Sequence, residues 1–293
     1  MIQITELTKT YGSRKVLDAV SFTPPPGEVT AFLGANGAGK TTTMRILLGL
    51  VAPTGGAATI NGSRYADLPA PRRTVGALIE SEALHRGRSG LDHLRVIARA
   101  AELPDARAHE TLEAVELTEF GRERTGGYSL GMRQRLGIAA ALLGEPSVLV
   151  LDEPANGLDP LGIRWLRALL REMAANGATV LLSSHLLGEV AQLADRIVII
   201  DGGRLVRETT ADALVATAAV DVLVRTPDAV ALASALDRRG VRTSPTPTGL
   251  LARATTAEDV GNIAAASGCV VHGLTEAAPD LEEMFLALTA DPR

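Results

Sequence analysis

The chain of 293 residues has a single cysteine, Cys269, which excludes an internal disulfide and any cysteine metal cluster. Aromatic residues make up only 3% and the formal net charge is −5, so the stacking platforms and the basic footprint of a typical nucleic-acid binder are both missing. No nucleic-acid partner is therefore expected. The longest run without charge, 46–63, contains Pro53, Gly55, Gly56 and Asn61, and cannot form a membrane-spanning helix. The start, MIQITELTK, lacks the apolar core of a signal peptide, and a cytoplasmic location is the expectation. Lysine is scarce: Lys9, Lys15 and Lys40 are three of 29 basic residues, leaving 26 arginines. Such a skew fits a GC-rich coding bias, and it makes the position of each lysine worth noting.

What is present is ordinary for a globular protein, with 46% hydrophobic and 22% charged residues. The length allows one large domain with a small appendage. Apolar runs at Val29–Leu33, Val148–Leu151, Thr179–Leu182 and Arg196–Ile200 show little alternation and read as buried parallel strands. Helical spacing at Lys40–Leu50 and Gly162–Asn176 places helices between them, giving an α/β sheet covered by helices. From about Leu91 to Leu143 helical patterning replaces the strand signal, broken by Pro104 and by Gly126-Gly127.

After about Thr210 the texture changes to short strands and helices: Val220–Arg225, Asp228–Arg239, Gly249–Ala254, Thr256–Ser267, Cys269–Leu274 and Asp280–Leu288. Residues 244–249 read as a turn or loop within this tail. The expectation is a large α/β domain over 1–210, with a helical subdomain near 91–143, and a small α+β domain over 211–293. The tail's pattern occurs roughly twice, as in a split βαβ arrangement.

Residues Gly34-Ala35-Asn36-Gly37-Ala38-Gly39-Lys40-Thr41 fit G-x-x-x-x-G-K-[ST], after a buried strand and before a helix. Glycines keep side chains away so that backbone N–H groups and a helix N-terminus can surround phosphate oxygens. Lys40 adds a cation for the β/γ-phosphates, Thr41 a hydroxyl for Mg²⁺, and Thr42 a further donor. A merely glycine-rich turn does not account for all eight positions in register. Asp152 and Glu153 end another buried strand. Asp152 suits Mg²⁺ held through water, and Glu153 a general base acting on the attacking water.

Between these sites lies Tyr128-Ser129-Leu130-Gly131-Met132-Arg133-Gln134-Arg135, and after them Asn156-Gly157-Leu158-Asp159-Pro160 and Ser183-Ser184-His185. This order, from about Ile2 to Thr210, resembles the nucleotide-binding subunit of ATP-binding-cassette transporters. The resemblance implies a phosphate-loop ATPase core, ATP and Mg²⁺ as its cofactors, and a head-to-tail homodimer. In that dimer Ser129 and Gly131 contact ATP on the opposite subunit, Asp159 belongs to the loop joining the two sites, and His185 touches the γ-phosphate. Tyr11 falls where the family stacks an aromatic ring on adenine.

Glu80 stands where the family usually has Gln, at a position that contacts Mg²⁺ and the attacking water. Leu130 and Met132 replace the commoner glycine and glutamine. The Ile79-Glu80 pair and the form Ser129-Leu130-Gly131-Met132-Arg133-Gln134 resemble a subgroup that exports drugs, antibiotics and antimicrobial peptides, and Leu281-Glu282-Glu283-Met284-Phe285-Leu286 resembles that subgroup's C-terminal segment. The loop with Leu84-His85-Arg86-Gly87-Arg88 departs from that subgroup's usual aromatic-proline pattern. His85, His93, His109 and His272 lack any such context, and Arg122, Arg124, Arg133 and Arg135 read as solvated or structural.

The resulting expectation is an ATP-hydrolysing subunit on the inner face of the membrane, powering export through a separate integral membrane permease. A nucleotide-switched regulatory or resistance module, an importer ATPase, and a soluble cassette acting on ribosomes or DNA are the alternatives. The sequence does not specify the transported substrate. For the tail a dimer-stabilising or regulatory role is the expectation.

Overall fold

A computed structural model describes residues 1–79, 84–217 and 221–277. The chain divides into two compact units, Met1–Ala211 and Asp212–Arg293. The first opens with β1 (Ile2–Tyr11), β2 (Arg14–Phe22), β3 (Val29–Leu33), α1 (Lys40–Leu47), β4 (Gly55–Ile60), α2 (Pro71–Thr74) and β5 (Val75–Leu78). Helices α3 (Gly90–Ala100), α4 (Ala106–Ala114) and α5 (Leu130–Leu142) follow. Then come β6 (Val148–Leu151), α6 (Pro160–Ala175), β7 (Thr179–Ser184), α7 (Leu187–Leu193), β8 (Arg196–Asp201) and β9 (Arg204–Thr210). Helix α8 (Ala211–Thr217) begins where the two units divide.

Six strands form the main sheet in the order β5-β6-β7-β3-β8-β9, parallel except for β9. All residues of β3, β6 and β7 are buried, which explains why these strands lack charge and show no apolar/polar alternation. In this register Leu151 lies beside Leu182, and Leu33 beside Ser184. The loops after β3, β6 and β7 therefore leave the sheet at one end, where ligands bind in open α/β sheets.

A second sheet, β2-β1-β4, is antiparallel. The apolar runs did not point to it, because β1 mixes charged and apolar residues and its pairing with β2 shifts register three times. Its buried face, including Ile2, Ile4, Leu17 and Phe22, joins Phe32 of β3 and Met44 and Leu47 of α1 in one core. The rings of Phe22 and Phe32 lie 4.9 Å apart between centroids. Burying a side chain of this size contributes about 1.5–3 kcal/mol. Helix α1 ends at Leu47, three residues before the expected Leu50, where Gly49 turns to positive φ.

The second unit contains β10 (Asp221–Arg225), α9 (Ala229–Asp237), β11 (Thr243–Thr246), β12 (Gly249–Ala252), α10 (Ala257–Ala266) and β13 (Gly273–Ala277). Its antiparallel sheet has the order β11-β12-β10-β13, the topology of a split βαβ pair. Val222, Val224, Leu232, Leu236, Leu250 and Val260 form its core.

Two expectations need correction here. Of residues 244–249, expected as a turn or loop, only 247–248 form the turn; 244–246 belong to edge strand β11, which accommodates Pro245, and Gly249 begins β12. The last strand begins at Gly273 instead of Cys269, because the Cys269 N–H is used to finish α10 on the Ala264 carbonyl. Glu80 and the segments 278–280 and 281–293, with the expected element at Asp280–Leu288, lie outside the described residues.

Candidate functional site

The loop 34–39 joins β3 to α1. Helix α1 has no side-chain cap and no acidic residue in its first turn, so its N-terminal N–H groups and dipole are left for an anion. Gly39 holds φ 111°, and a Cβ there would stand 2.5 Å from Leu17 Cδ2, so both conformation and space require glycine. Lys40 is only 5% exposed. Its ammonium donates to the carbonyls of Gly34 at 2.7 Å and Ala35 at 3.4 Å, partners that a buried charge needs.

Four elements converge on this loop. Thr41 Oγ1 donates to Asp152 Oδ2 at 2.7 Å, bringing the start of α1 to the end of β6. Glu153 places Oε1 3.4 Å from Lys40 Nζ and Oε2 2.9 Å from His185 Nδ1. Its own backbone is left-handed, with φ 49°. Such a conformation is uncommon outside glycine and costs about 1–3 kcal/mol. Ser183 of β7 accepts from the Glu153 N–H at 2.9 Å and donates to Asp152 Oδ1.

A cavity of about 310 Å³ adjoins these groups, lined by Arg14, Val16, Asn36, Gly37, Gly39, Lys40, Thr41, Thr42 and Glu153. Lys40, an uncapped helix and small loop residues suit a polyphosphate. Thr41 and Asp152 offer two hard oxygen atoms in contact, which suits Mg²⁺ completed by phosphate and water. Among the described residues no group of three or more His, Cys, Asp or Glu is placed to hold a metal ion.

The other expected residues lie apart. Ser129 caps α5 by accepting from the Met132 N–H at 3.2 Å, and Asp159 caps α6 by accepting from Gly162 N–H at 2.7 Å. With Gly131 and Leu158 they line a second cavity of about 480 Å³ that shares no residue with the first. Tyr11 is 48% exposed at the tip of β1, with Lys9 Nζ 4.7 Å above its ring, and lines neither cavity. A larger cavity of about 610 Å³ between α4, α5 and α6, with Arg107, Leu142, Leu169 and Met173, contains none of the expected residues.

Four neighbours of the site had no role assigned from sequence: Arg14, Val16, Ser183 and Gln134. Ser183 was visible in Ser-Ser-His, but its hydroxyl faces Asp152 only once β6 and β7 are paired. Gln134 donates to the Glu153 carbonyl at 3.1 Å across 19 residues of sequence. Arg133 and Arg135 are structural: Arg133 donates to the Tyr128 carbonyl, and Arg135 pairs with Glu116 and stacks over Trp165. Burial raises the Tyr128 phenol above its usual pKa, with the negative Glu123 adding to the effect, while its hydroxyl donates to the Phe120 carbonyl.

Strand, glycine loop and helix with a lysine, a hydroxyl and two carboxylates at the sheet's end define a phosphate-loop nucleotide-binding protein. The profile of the ABC transporter family matches residues 17–156, and that of a domain of unknown function matches residues 220–282. The bacitracin transport ATP-binding protein BcrA of Bacillus licheniformis is 41% identical over 217 residues, 73% of this chain and 71% of that protein. The daunorubicin resistance ATP-binding protein DrrA3 of Streptomyces coeruleorubidus is 38% identical over 310 aligned positions, covering 100% of this chain and 96% of that protein. Among solved structures, a dimeric ATP-binding cassette in a post-hydrolysis state, bound to ADP and Pi, superposes with a TM-score of 0.65. It is 25% identical and covers 72% of this chain and 99% of that one. The chain belongs to the ATP-binding cassette transporter family and is an ATP-binding, ATP-hydrolysing subunit.

Proposed function

We propose that this chain is the motor of an exporter that removes a drug, antibiotic or peptide through a separate integral membrane permease. The carrying observation is similarity along the whole chain, second unit included, to a daunorubicin resistance ATP-binding protein. No described helix is long and apolar enough to cross a membrane, so the path for the substrate is assigned to the partner. The working location is the cytoplasmic face of the membrane, held there by the permease.

In this reading the loop from Gly34 to Thr42 surrounds the phosphates of ATP and Tyr11 stacks on adenine. Lys40 neutralises developing charge on the transferred phosphoryl group. Glu153 takes a proton from the attacking water, and His185, in contact with its carboxylate, orients it. Thr41 and Asp152, with Glu80 by its resemblance to the family's usual Gln position, would hold Mg²⁺, which when bound supplies charge stabilisation at the phosphates. Ser129 and Gly131 complete the site of a second copy in a homodimer, and Asp159 lies on the loop between the two sites. The separation of the two cavities supports this division, because Ser129 does not reach its own chain's phosphate loop.

The test is ATP-driven accumulation of an anthracycline, bacitracin or a lantibiotic in inverted membrane vesicles containing this chain and its permease. Accumulation with ATP that is lost with Glu153→Gln is expected. Intact ATP turnover without accumulation of any of them sinks the proposed substrate class.

A further inference from the structure

The backbone of Glu153 is gripped on both sides by side chains. Ser183 of β7 takes its N–H, while Gln134 of α5 donates to its carbonyl at 3.1 Å. Between these two bonds the residue adopts the left-handed conformation that aims its carboxylate at Lys40 and His185. A non-glycine residue stays in this conformation only where its surroundings impose it.

Gln134 is 1% exposed, and its Oε1 has no hydrogen-bond partner among the described residues. A buried amide that leaves an acceptor unsatisfied costs stability relative to an apolar side chain of the same volume. Packing alone therefore does not account for a glutamine here; its donor does. The same helix begins at Leu130, capped by Ser129, and Gln134 follows about one turn later. Leu130 also lies against Gly157, where φ is 76° and a Cβ would come within 2.4 Å of the leucine. Helix α5 thus touches the segment after β6 at two points, the Glu153 carbonyl and Gly157.

We propose that Gln134 is a positioning residue that couples the Ser129–Gly131 end of α5 to the Glu153 carboxylate of the same chain. When nucleotide on a second copy engages Ser129 and Gly131, α5 is ordered, and the Gln134 bond sets the Glu153 backbone for hydrolysis in its own site. Information passes between two ATP sites through one buried amide, without direct contact between the ligands. The inference rests on the dimeric reading above and on Glu153 as the general base.

The experiment uses the full-length protein with its permease and compares Gln134→Leu and Gln134→Met, both of which conserve volume, with wild type and Glu153→Gln. Each is measured for ATP affinity with a fluorescent nucleotide, thermal midpoint, kcat, KM and the Hill coefficient for ATP. For Gln134→Leu we expect affinity and KM within about twofold, a midpoint that is unchanged or higher, and a Hill coefficient near 1. Its kcat should fall about ten- to a hundredfold, the scale of a small misplacement of a reacting group. Use of both variants guards against one that does not fold.

Wild-type kcat and cooperativity in the two Gln134 variants, with turnover abolished in Glu153→Gln, overturn the coupling and leave the base assignment standing. Undiminished turnover in Glu153→Gln overturns the base assignment and the inference with it. A loss of midpoint with kcat and Hill coefficient retained shows a purely structural glutamine and also overturns the proposal.

Discussion

His185 Nδ1 lies 2.9 Å from Oε2 of Glu153, on the opposite side of the carboxylate from Lys40 Nζ, which is 3.4 Å from Oε1. One carboxylate is thus shared between a buried cation anchored to the phosphate loop and an imidazole at the end of β7. Replacing Glu153 by Gln keeps the shape and removes the proposed base. ATP binding should persist while hydrolysis falls about 10²–10⁴-fold, the usual worth of a general base. Single-turnover hydrolysis and filter-bound nucleotide measure the two effects separately.

Lys40→Ala removes the ammonium that faces the loop carbonyls and Glu153. Charge-assisted bonds of this kind contribute about 1.5–3 kcal/mol, so ATP affinity should drop roughly ten- to a hundredfold. Titration with a fluorescent ATP analogue checks this, and affinity equal to wild type contradicts the phosphate assignment.

Arg14 lines the same cavity as Lys40. If its guanidinium contacts phosphate, Arg14→Ala should raise KM for ATP roughly three- to tenfold with little change in kcat, and the difference should shrink at high salt. An unchanged KM at low salt removes Arg14 from the site.

Gly39→Ala combines a left-handed backbone with a Cβ 2.5 Å from Leu17 Cδ2. The strain should cost about 1–3 kcal/mol and lower the melting point by roughly 3–10 °C. Differential scanning calorimetry reads the midpoint, and nucleotide affinity should fall with it because the loop is displaced.

Burial lowers the pKa of His93 below its usual 6.5, helped by the nearby charges of Arg88 and His85. The unfolded chain therefore binds a proton that the folded chain resists. The contribution of His93 to stability is complete above its unfolded pKa and is lost as pH falls through 6.5 toward the lower folded value. Urea midpoints between pH 5 and 7.5 should show this acid sensitivity in wild type and less of it in His93→Gln.

Much of the site was legible because its chemistry is local. The run from Gly34 to Thr42 carries its own glycine pattern, and β3 and α1 flank it as expected. The four strands of the main sheet read from sequence were equally clear, because strands covered on both faces are mostly apolar and do not alternate. The antiparallel sheet was not, since β1 has one solvated side and irregular register. Pro245 hid β11 for a different reason: proline argues against a strand unless the strand lies at an edge, and edge position is a property of the assembled sheet.

The order of residues alone determined which groups are candidates for the chemistry, because Lys40 and Thr41 close a glycine motif at the start of a helix and Asp152 and Glu153 follow a buried strand. Tertiary structure decided how they act on one another. Parallel register brings Ser183 to Asp152 across 31 residues, and helix packing brings Gln134 to Glu153 across 19. Hydrogen bonds between residues so distant in sequence leave no periodic trace, since each depends on the packing of two elements that are patterned independently.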